Sequence, residues 1–161
     1  MSIREILQHP DPRLRTVAEP VPKLTAEVCE LCADLVQTMR YSARAGMGLA
    51  APQVGVPLRI FVMDEVGKKA KRQSHVCINP VIRMRSGEAS IAEGCLSFPA
   101  DASVRIPRAA RIRLAYQMPS GRHVTRSFDG ILAICAQHEI DHLDGKLMVD
   151  YGELTDAPPD H

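Results

Sequence analysis

The chain has 161 residues, a length that suits one domain with a substantial buried core. Hydrophobic residues make up 45% and the formal net charge is +1, which excludes a disordered polar chain and gives no basic field for nucleic acid or an anionic membrane surface. No apolar run reaches the roughly 20 residues of a membrane helix, Met1-Ser2-Ile3-Arg4-Glu5 lacks the zones of a secretion signal, and five cysteines without a regular framework point to a reducing, cytoplasmic setting.

Residues 1–23, with Pro10, Pro12, Pro20 and Pro22, read as an extended arm that turns at Pro10-Asp11-Pro12. Thr25 suits an N-cap, and Val28, Leu31, Cys32, Leu35 and Met39 recur at helical spacing, which predicts a first helix ending before Gly46. Gly46-Met47-Gly48-Leu49-Ala50-Ala51-Pro52-Gln53 then combines small residues, which admit close backbone approach, with a side-chain amide donor at Gln53. The plainer reading of that stretch is a turn feeding the next strand. It fits a nucleotide-binding loop poorly, since it carries neither G-x-G-x-x-G nor a Gly-Lys-Ser/Thr ending.

Leu58–Asp64 reads as a buried strand, 67–74 as an exposed hairpin loop and 75–79 as the strand that follows. Further strands are expected at 81–85, 111–116 and 124–128, the last two turned by Pro119-Ser120-Gly121. A second helix is expected from near Asp129 to about Leu143, stopped by Asp144-Gly145, and the segment from Thr155, with Pro158 and Pro159, reads as a loose tail. The order of elements gives an α+β fold in a single domain over 1–161: antiparallel sheets wrapped around a central helix, plus an N-terminal helix.

That central helix carries His138-Glu139-Ile140-Asp141-His142. Residues four apart share one helix face, so two imidazoles at this spacing can close on one ion while Glu139 stays free to act as a base. Helical stepping puts Ile131, Ile134 and Cys135 in the sector of His138 and His142, an aliphatic wall beside the histidines. Leu132, Ala136, Ile140 and Leu143 make a second apolar sector, and Gln137 and Asp141 share a polar strip. A helix apolar on two sides belongs in the middle of a fold. A catalytic site of this type needs a third ligand, and the strongest candidate is Cys95 in Glu93-Gly94-Cys95-Leu96-Ser97. Taken singly, such a Cys is more often a small buried apolar residue, and an i, i+4 histidine pair can simply be core.

Together the three stretches resemble the peptide deformylases. The family's G-x-G-L-A-A-x-Q, E-G-C-L-S and Q-H-E-x-D-H-x-x-G signatures appear in order as Gly46–Gln53, Glu93–Ser97 and Gln137–Gly145. The resemblance implies that Cys95, His138 and His142 bind one divalent metal. Iron(II) is the expected ion, with zinc, nickel or cobalt also suited to the donor set. It implies that water activated by the metal attacks the formyl carbon of N-terminal formylmethionine, with Glu139 as general acid/base and Gln53 and the Leu96 backbone amide as the oxyanion hole. Gly46, Met47, Ile91, Ile131, Ile134 and Cys135 would line the methionine pocket, with Gly48 near the substrate backbone. The implied partners are formylmethionyl peptides and nascent chains, with transient ribosome contact, for a cytoplasmic monomer. The chain departs from the family between Pro99 and Pro107, where Ala-Asp-Ala-Ser-Val-Arg-Ile replaces an arginine-containing loop.

Two other classes compete on sequence. A zincin-type endopeptidase shares H-E-x-x-H but leaves E-G-C-L-S unexplained. A redox or zinc-binding role for Cys29-Glu30-Leu31-Cys32 would need that pair off the apolar face of the first helix, where Cys32 is expected.

Overall fold

The computed structural model describes residues 2–67, 69 and 71–161. Helix α1 spans Ala26–Tyr41, and Thr25 caps it by accepting a hydrogen bond from the Val28 amide. Strands β1 (Gly48–Ala50), β2 (Ile60–Val66), β3 (Arg72–Ser86), β6 (Arg111–Gln117) and β7 (His123–Asp129) form one antiparallel sheet in the order β1-β2-β3-β6-β7. Short β4 (Ala92–Glu93) and β5 (Val104–Arg105) make a second, two-stranded sheet. Helix α2, Gly130–Leu143, follows β7 directly.

Side chains alternate across a strand, and β2 uses both faces. Phe61 and Met63 join Cys77, Ile112, Leu114, Ala133, Ala136 and Leu143 under α2. Ile60 and Val62 join Leu31, Leu35, Met39 and Ile78 under α1. The uninterrupted apolar run of β2 is therefore a strand covered on both sides, with α2 against one face and α1 against the other. A third cluster, containing Leu7, Leu14, Cys95, Phe98, Ile106 and Met148, ties the N-terminal arm to the small sheet.

Three differences from the sequence reading have physical causes. The two strands expected on either side of Pro80 are one long strand, because a register shift between Ile78 and Val81 lets the chain pass the proline. Asn79 there takes φ of 50°, and its side chain both accepts from the Val21 amide and donates to the Val21 carbonyl, pinning the arm. The loop expected at 67–74 is shorter, since β3 begins at Arg72; positions 68 and 70 of that expectation lie outside the described residues. The segment from Thr155 is not loose. Thr155 pairs with Ser103 through both main-chain bonds, Ser103 Oγ donates to the Ala157 carbonyl, and the Asp160 amide donates to the Ala92 carbonyl at 2.8 Å. The free edges of the small sheet supply partners that composition alone does not reveal.

Cys32 packs in the α1 core while Cys29 is exposed, and burial pushes the Cys32 thiol up to about 12. That pair is helix packing rather than a reactive dithiol. No helix among the described residues is long and apolar enough to cross a membrane.

Candidate metal centre

The last two turns of α2 carry His138, Glu139 and His142, all buried, because the helix lies between the sheet and the turn that holds Cys95. The rings of His138 and His142 meet edge to face with centroids 5.1 Å apart. Cys95, from the other side, brings its Sγ to 3.3 Å from His142 Nε2. One donor atom from each of Cys95, His138 and His142 lies within 4.8 Å of the others. Donors around a tetrahedral ion with bonds of about 2.0–2.3 Å stand about 3.5 Å apart, so a small closure suffices to grip a transition metal. Sulfur with two imidazoles is a borderline-soft donor set, suited to such an ion rather than to calcium or magnesium.

The two histidines are driven in opposite directions by their surroundings. Burial works against a charged His138, yet hydrogen bonds to Cys95 and Glu93 win and raise its pKa well above the ordinary imidazole value. Burial, reinforced by the charge on His138, pushes His142 well below it.

Behind His138 stands a buried ionic chain that the sequence reading did not assign. Glu93 Oε1 meets His138 Nδ1 at 3.0 Å and so fixes which ring nitrogen faces the site. Arg108 grips the same carboxylate with two bonds of 2.9 Å and reaches Asp141 at 2.6 Å, and the Tyr151 hydroxyl donates to that Asp141 oxygen. Burial pushes Glu93 up, but its bonds with His138 and Arg108 leave it below the usual carboxylate range. The signal available in sequence was a carboxylate two residues before Cys95; its cation, fifteen residues further on, carries no local mark. The strip expected to be merely polar also has a structural task, with Gln137 bonding both main-chain groups of Ala109.

Glu139 is 3% exposed, and its Oε1 has no hydrogen-bond partner. Burial pushes its carboxyl up to about 7, with His138 opposing and Glu93 adding to the rise. Strand β1 passes so close that a Cβ on Gly48 would sit 2.6 Å from Glu139 Oε2 and 2.8 Å from Cys135 Sγ, so a side chain there would displace the Glu139 carboxylate or the Cys135 sulfur. Gln53 accepts from the Ala50 amide with Oε1, which turns its amide nitrogen toward Ser97 Oγ at 3.0 Å and Cys95 Sγ at 3.6 Å.

A cavity of about 530 Å³ opens onto these groups. Gly46, Met47, Gly48, Gln53, Ile91 and Leu96 line it from the loops and β1, and Ile131, Ile134, Cys135, His138 and Glu139 line it from α2. Ile134 is buried at 3% exposure, whereas Ile131, at 41%, stands at the mouth. The residues that the resemblance implies for the site all line this cavity except His142, which meets Cys95 Sγ at 3.3 Å. Pro159 and His161 of the docked tail also line the cavity, and the Gly94 amide donates to His161 Nε2 at 3.1 Å. Arg105, from the segment that departs from the family pattern, instead bonds the Ser90 carbonyl and lies 3.4 Å from Asp160.

A donor trio on and beside an H-E-x-x-H helix, with a buried carboxylate over an apolar cavity, defines the class of metal-dependent hydrolases. The sequence pattern of the family described as polypeptide deformylase matches residues 3–156. A peptide deformylase of Alkalilimnicola ehrlichii is 48% identical over 151 residues, which cover 94% of this chain and 83% of that protein. The crystal structure of a peptide deformylase from Legionella pneumophila matches with a TM-score of 0.85 at 43% identity, over 94% of this chain and 87% of that one. The Ehrlichia chaffeensis peptide deformylase in complex with actinonin matches with a TM-score of 0.87 at 37% identity, over 95% and 90%. The chain belongs to the polypeptide deformylase family and is a hydrolase that takes the formyl group from N-terminal methionine.

Proposed function

We propose that Cys95, His138 and His142 hold one divalent metal and that Glu139 is the general acid/base of deformylation. The convergence of one sulfur and two imidazoles within 4.8 Å, beside a buried carboxylate, carries this reading. When bound, the metal supplies a Lewis acid that makes a water nucleophilic near neutral pH. Glu139, pushed to about 7 by burial, takes the proton of the attacking water and returns it to the departing methionine nitrogen. Negative charge gathers on the former formyl oxygen, toward which the Gln53 amide and the Leu96 N–H donate; one such donor typically contributes about 2.7–4 kcal/mol. Ile91, Ile131, Ile134, Cys135, Gly46 and Met47 give the methionine side chain an apolar enclosure, and Gly48, which lines the same cavity, would lie near the substrate backbone.

Formate release from a formyl-Met-Ala peptide, beside its unformylated twin, tests the reaction: turnover of the first alone is expected. Cleavage of the unformylated peptide would favour an endopeptidase instead. Iron(II) is the ion proposed in the cell; an anaerobic preparation that retains only zinc while fully active would argue against it. Actinonin is expected to bind this chain as it binds the Ehrlichia relative, read as a thermal shift. The same reading makes the protein a cytoplasmic monomer that meets nascent chains at the ribosome. Light scattering and ribosome co-sedimentation check those two statements.

A further inference from the structure

The turn that carries Cys95 is held by a residue from the far wall of the cavity. Arg44, just beyond α1, donates through Nη1 to the Phe98 carbonyl at 2.7 Å and through Nη2 to the Cys95 carbonyl. The Cys95 carbonyl also accepts from the Phe98 amide at 3.0 Å, closing the turn. Arg44 is itself anchored: Ser42 Oγ donates to its carbonyl at 3.0 Å, and the Gly46 amide donates to the Met39 carbonyl at the end of α1. The two walls interlock here, since a Cβ on Gly46 would lie 2.6 Å from Leu96 Cδ1.

The carbonyl of Cys95 and the N–H of Leu96 belong to one planar peptide unit. A charge-assisted bond to the oxygen fixes the tilt of that plane and draws electron density from the nitrogen, so the N–H at the other end becomes a stronger donor. A guanidinium suits this task because its rigid fork reaches two carbonyls at once, which a single ammonium cannot do with the same geometry. We infer that Arg44 is a positioning residue for the reaction, orienting and polarising the Cys95–Leu96 peptide so that the Leu96 N–H meets the developing oxyanion. The inference rests on the reading of that amide as an oxyanion donor.

The test compares R44A, R44K and Q53A as metal-loaded full chains with a formyl-Met peptide. R44A is expected to lower kcat roughly tenfold to a hundredfold, less than complete loss of a donor, with KM within about twofold and metal content unchanged. R44K is expected to recover part of the loss. The double variant R44A/Q53A is expected to lose less than the product of the single losses, because both act on one oxyanion. Normal kcat in R44A while Q53A is impaired overturns the role of Arg44 and leaves the oxyanion reading standing. Normal kcat in both overturns the oxyanion reading itself. If R44A fails to fold or to keep metal, R44K decides: a several-fold deficit in kcat at unchanged KM and metal content supports the inference, and wild-type kcat overturns it.

Discussion

Glu139 and Glu93 sit within one buried cluster and are driven in opposite directions by their neighbours. Glu93 has His138 and the Arg108 fork, so it stays ionised. Glu139 has one oxygen without a partner, and burial makes it a weak acid near neutrality. Two carboxylates separated in this way are suited to different tasks, Glu93 to holding His138 and Glu139 to the proton transfer proposed for it. E139A is expected to lower kcat about 10²- to 10⁴-fold while metal content, measured by elemental analysis, stays at the wild-type level; activity near wild type would remove the residue from its role. E93Q leaves Arg108 buried against a neutral partner, and its expected cost is about 3–5 kcal/mol in urea denaturation, with metal affinity weakened about 10- to 100-fold. A change below about 1 kcal/mol would mean that Asp141 alone satisfies the guanidinium.

At the level of elements, α1 is fastened to the sheet by charge as well as by its apolar stripe. Arg40 near its end bonds both oxygens of Asp64 on β2, and Ser74 on β3 donates to the same carboxylate at 2.6 Å. Burial pushes Asp64 up, but these bonds hold it below the ordinary aspartate value. Its folded pKa is therefore lower than its unfolded one, so the unfolded chain binds the proton more readily. The stabilisation is present above the unfolded value of about 3.9 and is lost as pH falls through the folded value. D64N should be destabilised at neutral pH, and the gap to wild type should close on acidification from about pH 7 to about pH 3. Urea midpoints at the two pH values check this, and a gap independent of pH would place the effect in packing. The helix period and the Thr25 cap of α1 were open to sequence reasoning, being local; the partner of Arg40, on a strand 24 positions away, was not.

On the scale of the whole molecule, the donors come from two segments more than 40 positions apart, so an ion held as proposed by Cys95, His138 and His142 would cross-link the turn after β4 to α2. A ligand that binds only the folded state adds about 4 kcal/mol when present at about a thousand times its Kd. For a chain of this length that is roughly 10 °C in Tm. Chelation should lower Tm by about that much and abolish activity, and adding back iron(II) or zinc should restore both. Unchanged Tm after complete metal removal would mean that the Glu93–Arg108–Asp141 chain alone fixes the site.

What the sequence determined by itself is the set of elements with strong local periodicity and the residues whose chemistry is written in short motifs. Two histidines at helical spacing share a face whatever surrounds them, and a helix apolar on two sides has to be central. Only the tertiary structure decided how Cys95, His138 and His142 come together, that β3 runs unbroken past Pro80, that residues 155–161 dock against β4, that Arg44 reaches the Cys95 turn, and that Arg108 reaches the Glu93 carboxylate that meets His138. Most of these contacts join groups that lie far apart in the chain. Their choice of partner is made by packing the layers together, and no local pattern of residues encodes it.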